Sequence, residues 1–258
     1  MSDILTDQDF PEALRHWRLV RRMSQLELGL EAGVSTRHIS FLETGRAKPS
    51  RAMVLQLADA LMMPRGAHNS LLQQAGFANA YPMTPLDSDL IAPLHDALAS
   101  MMDKHNPWPA ILCDKYWNVI KANPSADILL TALRGNSHSV NLIRMFAGNP
   151  IAETMVINLD EVRQEMLGRI RLEALEAGND PMLRELEHEL RVSLAGAMQL
   201  NDSLRRPLVP FVISYMGQQL SFLTAIAHFG TSDDIAVRDL RLELLFPANE
   251  ATKDFFGG

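Results

Sequence analysis

The chain has 258 residues, of which 47% are hydrophobic and 21% charged, and its net charge is −7. These values are typical of folded globular proteins and exclude a disordered, collagen-like or coiled-coil chain, while the length favours two domains. No apolar run approaches the ~20 residues of a membrane span, and no signal-peptide pattern follows Met1, so we expect a cytoplasmic protein that does not contact a membrane. The single cysteine, Cys113, excludes an intramolecular disulfide and a zinc site built on paired thiolates.

Charge is distributed unevenly along the chain. Residues 11–66 hold nine Lys or Arg against five Asp or Glu, a local positive excess within an acidic protein. Such an asymmetry indicates a basic binding module joined to an acidic partner domain.

Residues 1–76 predict a compact all-α domain of five short helices. Ser24 and Glu27 have the S-x-x-E spacing of a capping box, which begins the second helix. Gly33 ends that helix, because glycine takes a positive φ without steric cost. By the same rules the five helices follow Pro11, Ser24, Ser35, Ser50 and Pro64.

Residues 77–93 predict a linker, since they combine three prolines with weak periodicity. The remaining residues, 94–258, mix strand and helix patterns and predict an α/β domain. Two short strands are predicted within residues 110–121. One amphipathic helix is predicted to start at Asn158, and a second one spans residues 181–198. A hairpin over residues 208–228, with its turn at residues 217–219, and a strand over residues 240–246 complete the domain.

A helix-turn-helix is predicted over residues 24–45. The apolar positions needed to pack two short helices across a turn at Gly33 are occupied by Leu26, Leu30, Val34, Ile39 and Leu42. In this motif the second helix enters the major groove with its N-terminal residues foremost, while the first crosses the DNA backbone. Here the leading residues are Thr36, Arg37 and His38.

Side chains around this second helix suit DNA contact. Arg37 can donate a pair of hydrogen bonds to guanine O6 and N7, or contact a phosphate. Phe41, if it faces solvent, can meet a thymine methyl, although a lone phenylalanine is more often core and a lone arginine at a helix start is more often merely solvated. The helix cap, the glycine turn, the apolar spacing and the local positive charge occur together, and this combination favours a DNA-binding role. The predicted DNA-binding residues are Ser24, Gln25, Ser35, Thr36, Arg37, His38, Ser40, Phe41, Thr44, Arg46, Lys48 and Arg51.

Residues 10–76 resemble the lambda-repressor-like (XRE/Cro) DNA-binding domain. The resemblance is carried by Ser24-Gln25-x-Glu-Leu, Gly33-Val34-Ser35, Ile39-Ser40-x-x-Glu43-x-Gly45-Arg46 and Lys48-Pro49-Ser50. It implies that Gln25, Thr36, Arg37 and Phe41 face base edges, whereas Thr44, Lys48 and Arg51 face phosphates.

The second half resembles the MmyB-like ligand-binding domain of bacterial regulators. The resemblance is carried by Gly76-Phe-Ala-x-x-Tyr81, Pro107-Trp-Pro-Ala110, Trp117-Asn118-Val119 with Asn123, and the tail Phe246-Pro-Ala-Asn-Glu-Ala-Thr252. It implies a PAS-like fold whose sheet encloses an apolar cavity for small apolar or fatty-acid-like molecules. Asn249 stands where this family often has aspartate.

Aromatic residues of this half, together with the 14 methionines of the chain, are the types that line adaptable apolar pockets. The same residues also build ordinary cores. The predicted ligand-binding residues are Trp117, Phe146, Phe211, Tyr215, Phe222 and Phe229.

Catalytic patterns are absent from the sequence. It has no His-x-x-x-His pair, nucleophile elbow, Walker loop or dinucleotide fingerprint, and His228 near Asp233 is typical of a solvated turn. We therefore expect no enzyme activity, no metal site and no cofactor.

Together these patterns predict a DNA-binding transcriptional regulator that acts as a homodimer on double-stranded DNA and whose C-terminal domain senses a small apolar ligand. The alternative is a regulator whose C-terminal domain is only a dimerisation or protein-interaction platform. A small-molecule-modifying enzyme attached to a DNA-targeting module is a third possibility.

Overall fold

A computed structural model of the protein describes residues 9–134, 140–195, 208–229 and 232–257. Within these ranges the chain forms two compact units. Unit 1 extends to Met83 and also takes in Leu172–Arg184 and Asp233–Ile235. Unit 2 comprises Thr84–Arg171, Glu185–Ser232 and Ala236–Gly258.

Unit 1 contains five helices before Met83, which confirms the predicted all-α arrangement. The side chains of Ser24, Ser35 and Ser50 each accept a hydrogen bond from the backbone N–H three residues on, so all three act as helix N-caps. The helices are α1 (Phe10–Val20), α2 (Gln25–Glu31), α3 (Thr36–Glu43), α4 (Arg51–Ala60) and α5 (Arg65–Gln74).

The core of unit 1 differs at α2 from the sequence prediction. Leu28 is fully buried, whereas Leu26 and Leu30 are 57% and 74% exposed. The prediction that Leu26 and Leu30 pack into the core is therefore wrong. At about 100° per residue, the buried face of α2 is the one that carries Leu28, and both flanking leucines turn away from it. Burial in unit 1 otherwise centres on Leu14, Ile39, Leu42, Leu57 and Leu72.

The turn between α2 and α3 depends on two glycines. Gly33 has φ of +61°, as the sequence predicted, and the N–H of Val34 donates to Gly29 O at 2.7 Å. Gly29 lies inside α2, where a Cβ would stand 2.6 Å from Val34 O. Only glycine at position 29 therefore allows this close approach of the chain after the turn.

Residues 172–184, distant in sequence, complete unit 1 against α1. Arg21 donates from its guanidinium to Leu175 O at 2.8 Å and to Glu176 O at 2.9 Å. His16 Nε2 lies 2.8 Å from Gly178 O. No sequence pattern indicates this packing, because nothing local to either segment requires it.

Unit 2 is built on a five-stranded antiparallel sheet with the order β2-β1-β5-β4-β3. The strands are β1 (Ala110–Cys113), β2 (Val119–Ala122), β3 (Phe211–Tyr215), β4 (Gln218–His228) and β5 (Arg241–Pro247). This confirms the predicted α/β, PAS-like domain.

The hairpin of β3 and β4 turns earlier than predicted. Gln218 pairs with Tyr215, and Gln219 pairs with Ser214, so neither glutamine belongs to the turn. The two turn residues are Met216 and Gly217, with φ of +50° and +78°. Two successive positive φ angles suit the twist of a two-residue hairpin.

Eight helices accompany the sheet within the described ranges, and α10, α11 and α12 have residues in both units. They are α6 (Ala92–Lys104), α7 (Pro124–Arg134), α8 (Leu142–Ala147), α9 (Pro150–Met155), α10 (Leu159–Glu176), α11 (Pro181–Ser193), α12 (Ile235–Arg238) and α13 (Glu250–Gly257). The end of the predicted 181–198 helix, residues 196–198, lies outside the described residues.

Asn123, one of the motif residues, ties together the start of β1 and the start of α7. Its Oδ1 accepts from the N–H groups of Ala110 and Ala126, both at 3.0 Å. Its Nδ2 donates to Trp108 O at 2.8 Å. This use of both ends of the amide identifies Asn123 as a structural residue.

Asn249 has a similar role at the start of α13. Its Oδ1 accepts from Thr252 N at 2.9 Å, which caps the helix, and its Nδ2 donates to Gln219 O at 3.1 Å. An ionised aspartate accepts but does not donate, so it would cap α13 without the bond to β4.

Candidate nucleic-acid interface and ligand cavity

Helix α3 has a buried face and an open face. Ile39, Leu42 and Glu43 are buried, whereas Arg37 is exposed and Phe41 is half-buried. The spacing that buries the first three residues therefore leaves the first turn of α3 accessible in unit 1. In a helix-turn-helix this is the part of the second helix that contacts base edges.

A buried ion pair fixes α3 on α1. Arg18 Nε donates to Glu43 Oε1 at 2.6 Å, and its terminal nitrogen donates to Glu43 Oε2 at 3.0 Å. The hydrogen bond to Glu43 raises the pKa of Arg18. Gln25 Nε2 donates to the same carboxylate at 2.8 Å, so the first residue of α2 is oriented by the last residue of α3.

Arg37 and Phe41 form a cation–π pair on the open face of α3. The guanidinium carbon lies 5.1 Å from the centroid of the Phe41 ring. A cation–π contact does not use the N–H donors of a guanidinium, and these donors are the groups that pair with a guanine or a phosphate. Within the described ranges Arg37 forms no hydrogen bond or ion pair.

The remaining predicted DNA-binding residues surround this helix. The hydroxyls of Ser24 and Ser35 accept from Glu27 N and His38 N, which leaves their own O–H groups free to donate to another acceptor. Thr44 Oγ1 donates to Ser40 O at 2.8 Å. By exposure, Gln25, Thr36, His38 and Ser40 are half-buried, and Thr44, Arg46, Lys48 and Arg51 are exposed.

Unit 2 contains a partly open cavity of about 320 Å³ between its sheet and several of its helices. This volume lies at the lower end of the range typical of small-molecule sites. Its wall is mainly apolar, and representative side chains are Leu129, Leu133, Met145, Met166, Leu223 and Leu245. The cavity can therefore hold a small molecule that is largely apolar.

Two of the six predicted ligand-binding residues, Phe146 and Phe211, line this cavity. Their rings meet edge to face, with centroids 5.6 Å apart. The other four lie elsewhere in unit 2. Trp117 is buried beneath two guanidiniums, and Tyr215 packs on Phe255. Phe222 is buried beside Phe211, its partner across the strands, and Phe229 packs near β5.

Three charged residues line the cavity within the described ranges: Glu165 and Arg169 on α10 and Glu243 on β5. Glu165 and Arg169 form an ion pair one helical turn apart. Sequence reasoning missed all three. The alternation of β5 contains a usable signal, because Glu243 shares a strand face with Leu245 and so points toward the apolar side of the sheet.

Glu243 has an unusual environment for a carboxylate. Burial, partly offset by the positive charge of Arg169, raises its pKa to about 7. Among the described residues, its carboxylate forms no hydrogen bond or ion pair. Among the described residues, the half-buried Glu243 therefore faces the cavity without a hydrogen bond or ion pair, and Arg169 is the positive charge that acts on it.

Neither a metal centre nor a reactive thiol emerges from the described residues. No group of His, Cys, Asp or Glu side chains is arranged to hold a metal ion in those ranges. Cys113 is buried, and that burial raises the pKa of its thiol. In the same ranges, no helix combines the length and apolar character required to cross a membrane.

Comparison with known families gives two matches. Residues 94–256 match the family described as the MmyB-like transcription regulator ligand binding domain, and residues 10–71 match a helix-turn-helix domain family. No curated protein matches the chain.

Proposed function

The chain belongs to the family of MmyB-like transcription regulator ligand-binding domains and carries a helix-turn-helix DNA-binding domain, and from this premise we propose that it regulates transcription by sensing a small apolar ligand. The accessible first turn of α3 supports the DNA-binding half of the proposal. The apolar cavity of unit 2 supports the sensing half.

For DNA binding we assign base contact to Thr36, Arg37, Ser40 and Phe41 and phosphate contact to Arg46, Lys48 and Arg51. Arg37 carries most of this assignment, since it is exposed and its guanidinium is held by Phe41. We further propose a homodimer, in which two copies of α3 read half-sites about 34 Å apart.

Selection of bound duplexes from a random pool tests this half of the proposal. The full chain should enrich a motif with two related half-sites one helical turn apart. If the recovered duplexes share no enriched motif, the protein does not recognise a specific DNA sequence. Enrichment of a single half-site would contradict the dimer.

For sensing, α10 offers a physical connection. Its residues Val162 to Arg169 include members of the cavity wall, and its last residues, from Leu172, belong to unit 1. We propose that a ligand that favours one position of α10 acts on unit 1 through this continuous helix. The size of the response is limited by the difference in ligand affinity between the two states.

Extraction of the purified protein followed by mass spectrometry tests the sensing half. An apolar molecule in stoichiometric amount, whose removal changes affinity for the selected DNA, is the expected result. A cavity that binds no apolar molecule and a DNA affinity that does not respond to one would favour the alternative, in which unit 2 serves only as a dimerisation or interaction platform.

A further inference from the structure

Among the described residues, the charged side chains of the cavity wall are negative overall. Glu165 neutralises Arg169 through their ion pair, and the Arg169 guanidinium also lies 5.2 Å from the centroid of the buried Trp117 ring. Glu243 is the remaining charge on the wall, and within the described ranges no side chain pairs with it. Among the described residues, no second cation lines this otherwise apolar cavity.

The neighbours of Glu243 do not supply that cation. Across the sheet it pairs with Ile111 of β1 and Ile226 of β4, both apolar. Arg241, two residues earlier on β5, donates to Asp114 O at 3.2 Å and stands 5.3 Å from the centroid of Trp117. The thiol of Cys113 on β1 is neutral because its pKa is raised by burial.

We propose that the cavity selects an amphiphile with a positively charged head, a lipophilic amine, whose ammonium group lies beside Glu243 while its chain contacts the leucine, methionine and phenylalanine wall. This inference rests on the proposed sensing function and specifies the ligand class of the same cavity. An ammonium at this position supplies a positive charge that the described wall residues do not, and a nearby opposite charge favours the ionised form of a carboxyl group.

A fatty-acid-like ligand would meet the opposite situation. Its carboxylate would bring a second unpaired negative charge next to Glu243, and Arg169 is already bound by Glu165. Such a ligand binds only if Glu243 takes up a proton or if Arg169 leaves its partner. At pH 8, above the Glu243 pKa of about 7, both routes cost free energy, whereas an amine needs neither of them.

Three probes of equal chain length separate these cases: decylamine, decanol and decanoate, each used below its micelle-forming concentration. Isothermal titration of the full chain at pH 8, where Glu243 is ionised, should give the tightest binding for decylamine, then decanol, then decanoate. We expect Glu243→Gln to weaken decylamine binding about tenfold and to leave decanol unchanged. Glu250→Gln, an exposed carboxylate on α13, is the matched control and should change neither.

Proton linkage provides a second readout. Near pH 7 decylamine should release part of a proton from Glu243, because a nearby cation lowers the pKa of a carboxyl group. Titration in two buffers of different ionisation enthalpy measures this release, which should vanish in Glu243→Gln. A thermal melt of the variant checks that it remains folded.

Other results would overturn the inference. Tightest binding of decanoate, or decylamine affinity unaffected by Glu243→Gln, would show that the head-group assignment is wrong while a sensing cavity remains. Binding of none of the three probes would reject both the amine assignment and the apolar-ligand sensor, and the DNA selection would still test the remaining half of the proposed function.

Discussion

Arg18 and Glu43 form a two-point ion pair in the interior of unit 1, with nitrogen–oxygen distances of 2.6 Å and 3.0 Å. The pair joins α1 to the last residue of α3, and Gln25 of α2 donates to the same carboxylate. One glutamate therefore fixes all three helices on which the DNA-binding surface depends. Because both partners are buried, the loss of one leaves the other uncompensated.

We expect Glu43→Gln to destabilise unit 1 by about 3 kcal/mol, since a buried Arg18 without its counter-charge is costly. Urea unfolding measures this change in stability when it is monitored by hydrogen exchange of the backbone amides in α1–α5. Glu31→Gln, at an exposed position of α2, is the control and should have little effect. Equal stability of the two variants would mean that the ion pair does not hold the helices together.

Arg37→Ala tests base readout directly. If Arg37 contacts guanine, the variant should lose about 1–3 kcal/mol at a single base pair and accept other bases there. Selection from a random duplex pool and binding to single-base variants measure this loss. A uniform loss of affinity across all sequences would instead identify Arg37 as a phosphate contact.

Lys48→Ala tests phosphate contact after α3. Neutralising one phosphate releases about one counterion, so the slope of log affinity against log salt should fall by about one unit. Lys104→Ala, in α6 of unit 2, is the control and should preserve the slope. An unchanged slope for Lys48→Ala would remove Lys48 from the interface.

The helical half of the fold could be predicted because its signals are local. Serine caps and glycine stops act within four residues of a helix end, and the structure confirms those at Ser24, Ser35 and Gly33. The local sequence does not predict in the same way which face of α2 is buried. Leucines occur at positions 26, 28 and 30, and only the packing of α2 on its neighbours determines which one is buried.

The cavity was less accessible to sequence reasoning than the DNA-binding surface. Residue type alone does not distinguish Phe146 and Phe211, which line the cavity, from Phe222, which is buried beside Phe211 and does not line it. Glu243 was missed for another reason. A lone glutamate in an alternating strand resembles a solvent-facing residue until the helices that cover that face are known.

Gly29 is a structural requirement that the sequence did not reveal. Gly29→Ala would place a methyl group 2.6 Å from the backbone oxygen of Val34, and backbone atoms at a helix-turn-helix turn cannot move without shifting α3. We expect a loss of about 1–3 kcal/mol, as for other overpacked sites.

Gly66→Ala is the matched control in the same unit. There the new methyl group would have its nearest neighbour at 3.7 Å, an ordinary contact, and alanine favours the helix more than glycine. This variant should be neutral or slightly more stable. Urea midpoints of the two variants compare them directly, and similar midpoints would contradict the close approach at Gly29.

Glu243 makes the stability of unit 2 depend on pH. Its pKa is about 7 in the folded chain against 4.5 as the ordinary value, so the folded state binds more protons than the unfolded state between these limits. Without ligand, its contribution is most favourable below pH 4.5 and is lost as the pH rises toward 7. Glu243→Gln should therefore stabilise unit 2 at pH 8 by about 2–3 kcal/mol and have little effect at pH 4.5. Thermal melts across this pH range measure the difference in stability, with Glu250→Gln as the control. If Glu243→Gln were no more stable than the parent at pH 8, burial would not penalise the charge of Glu243.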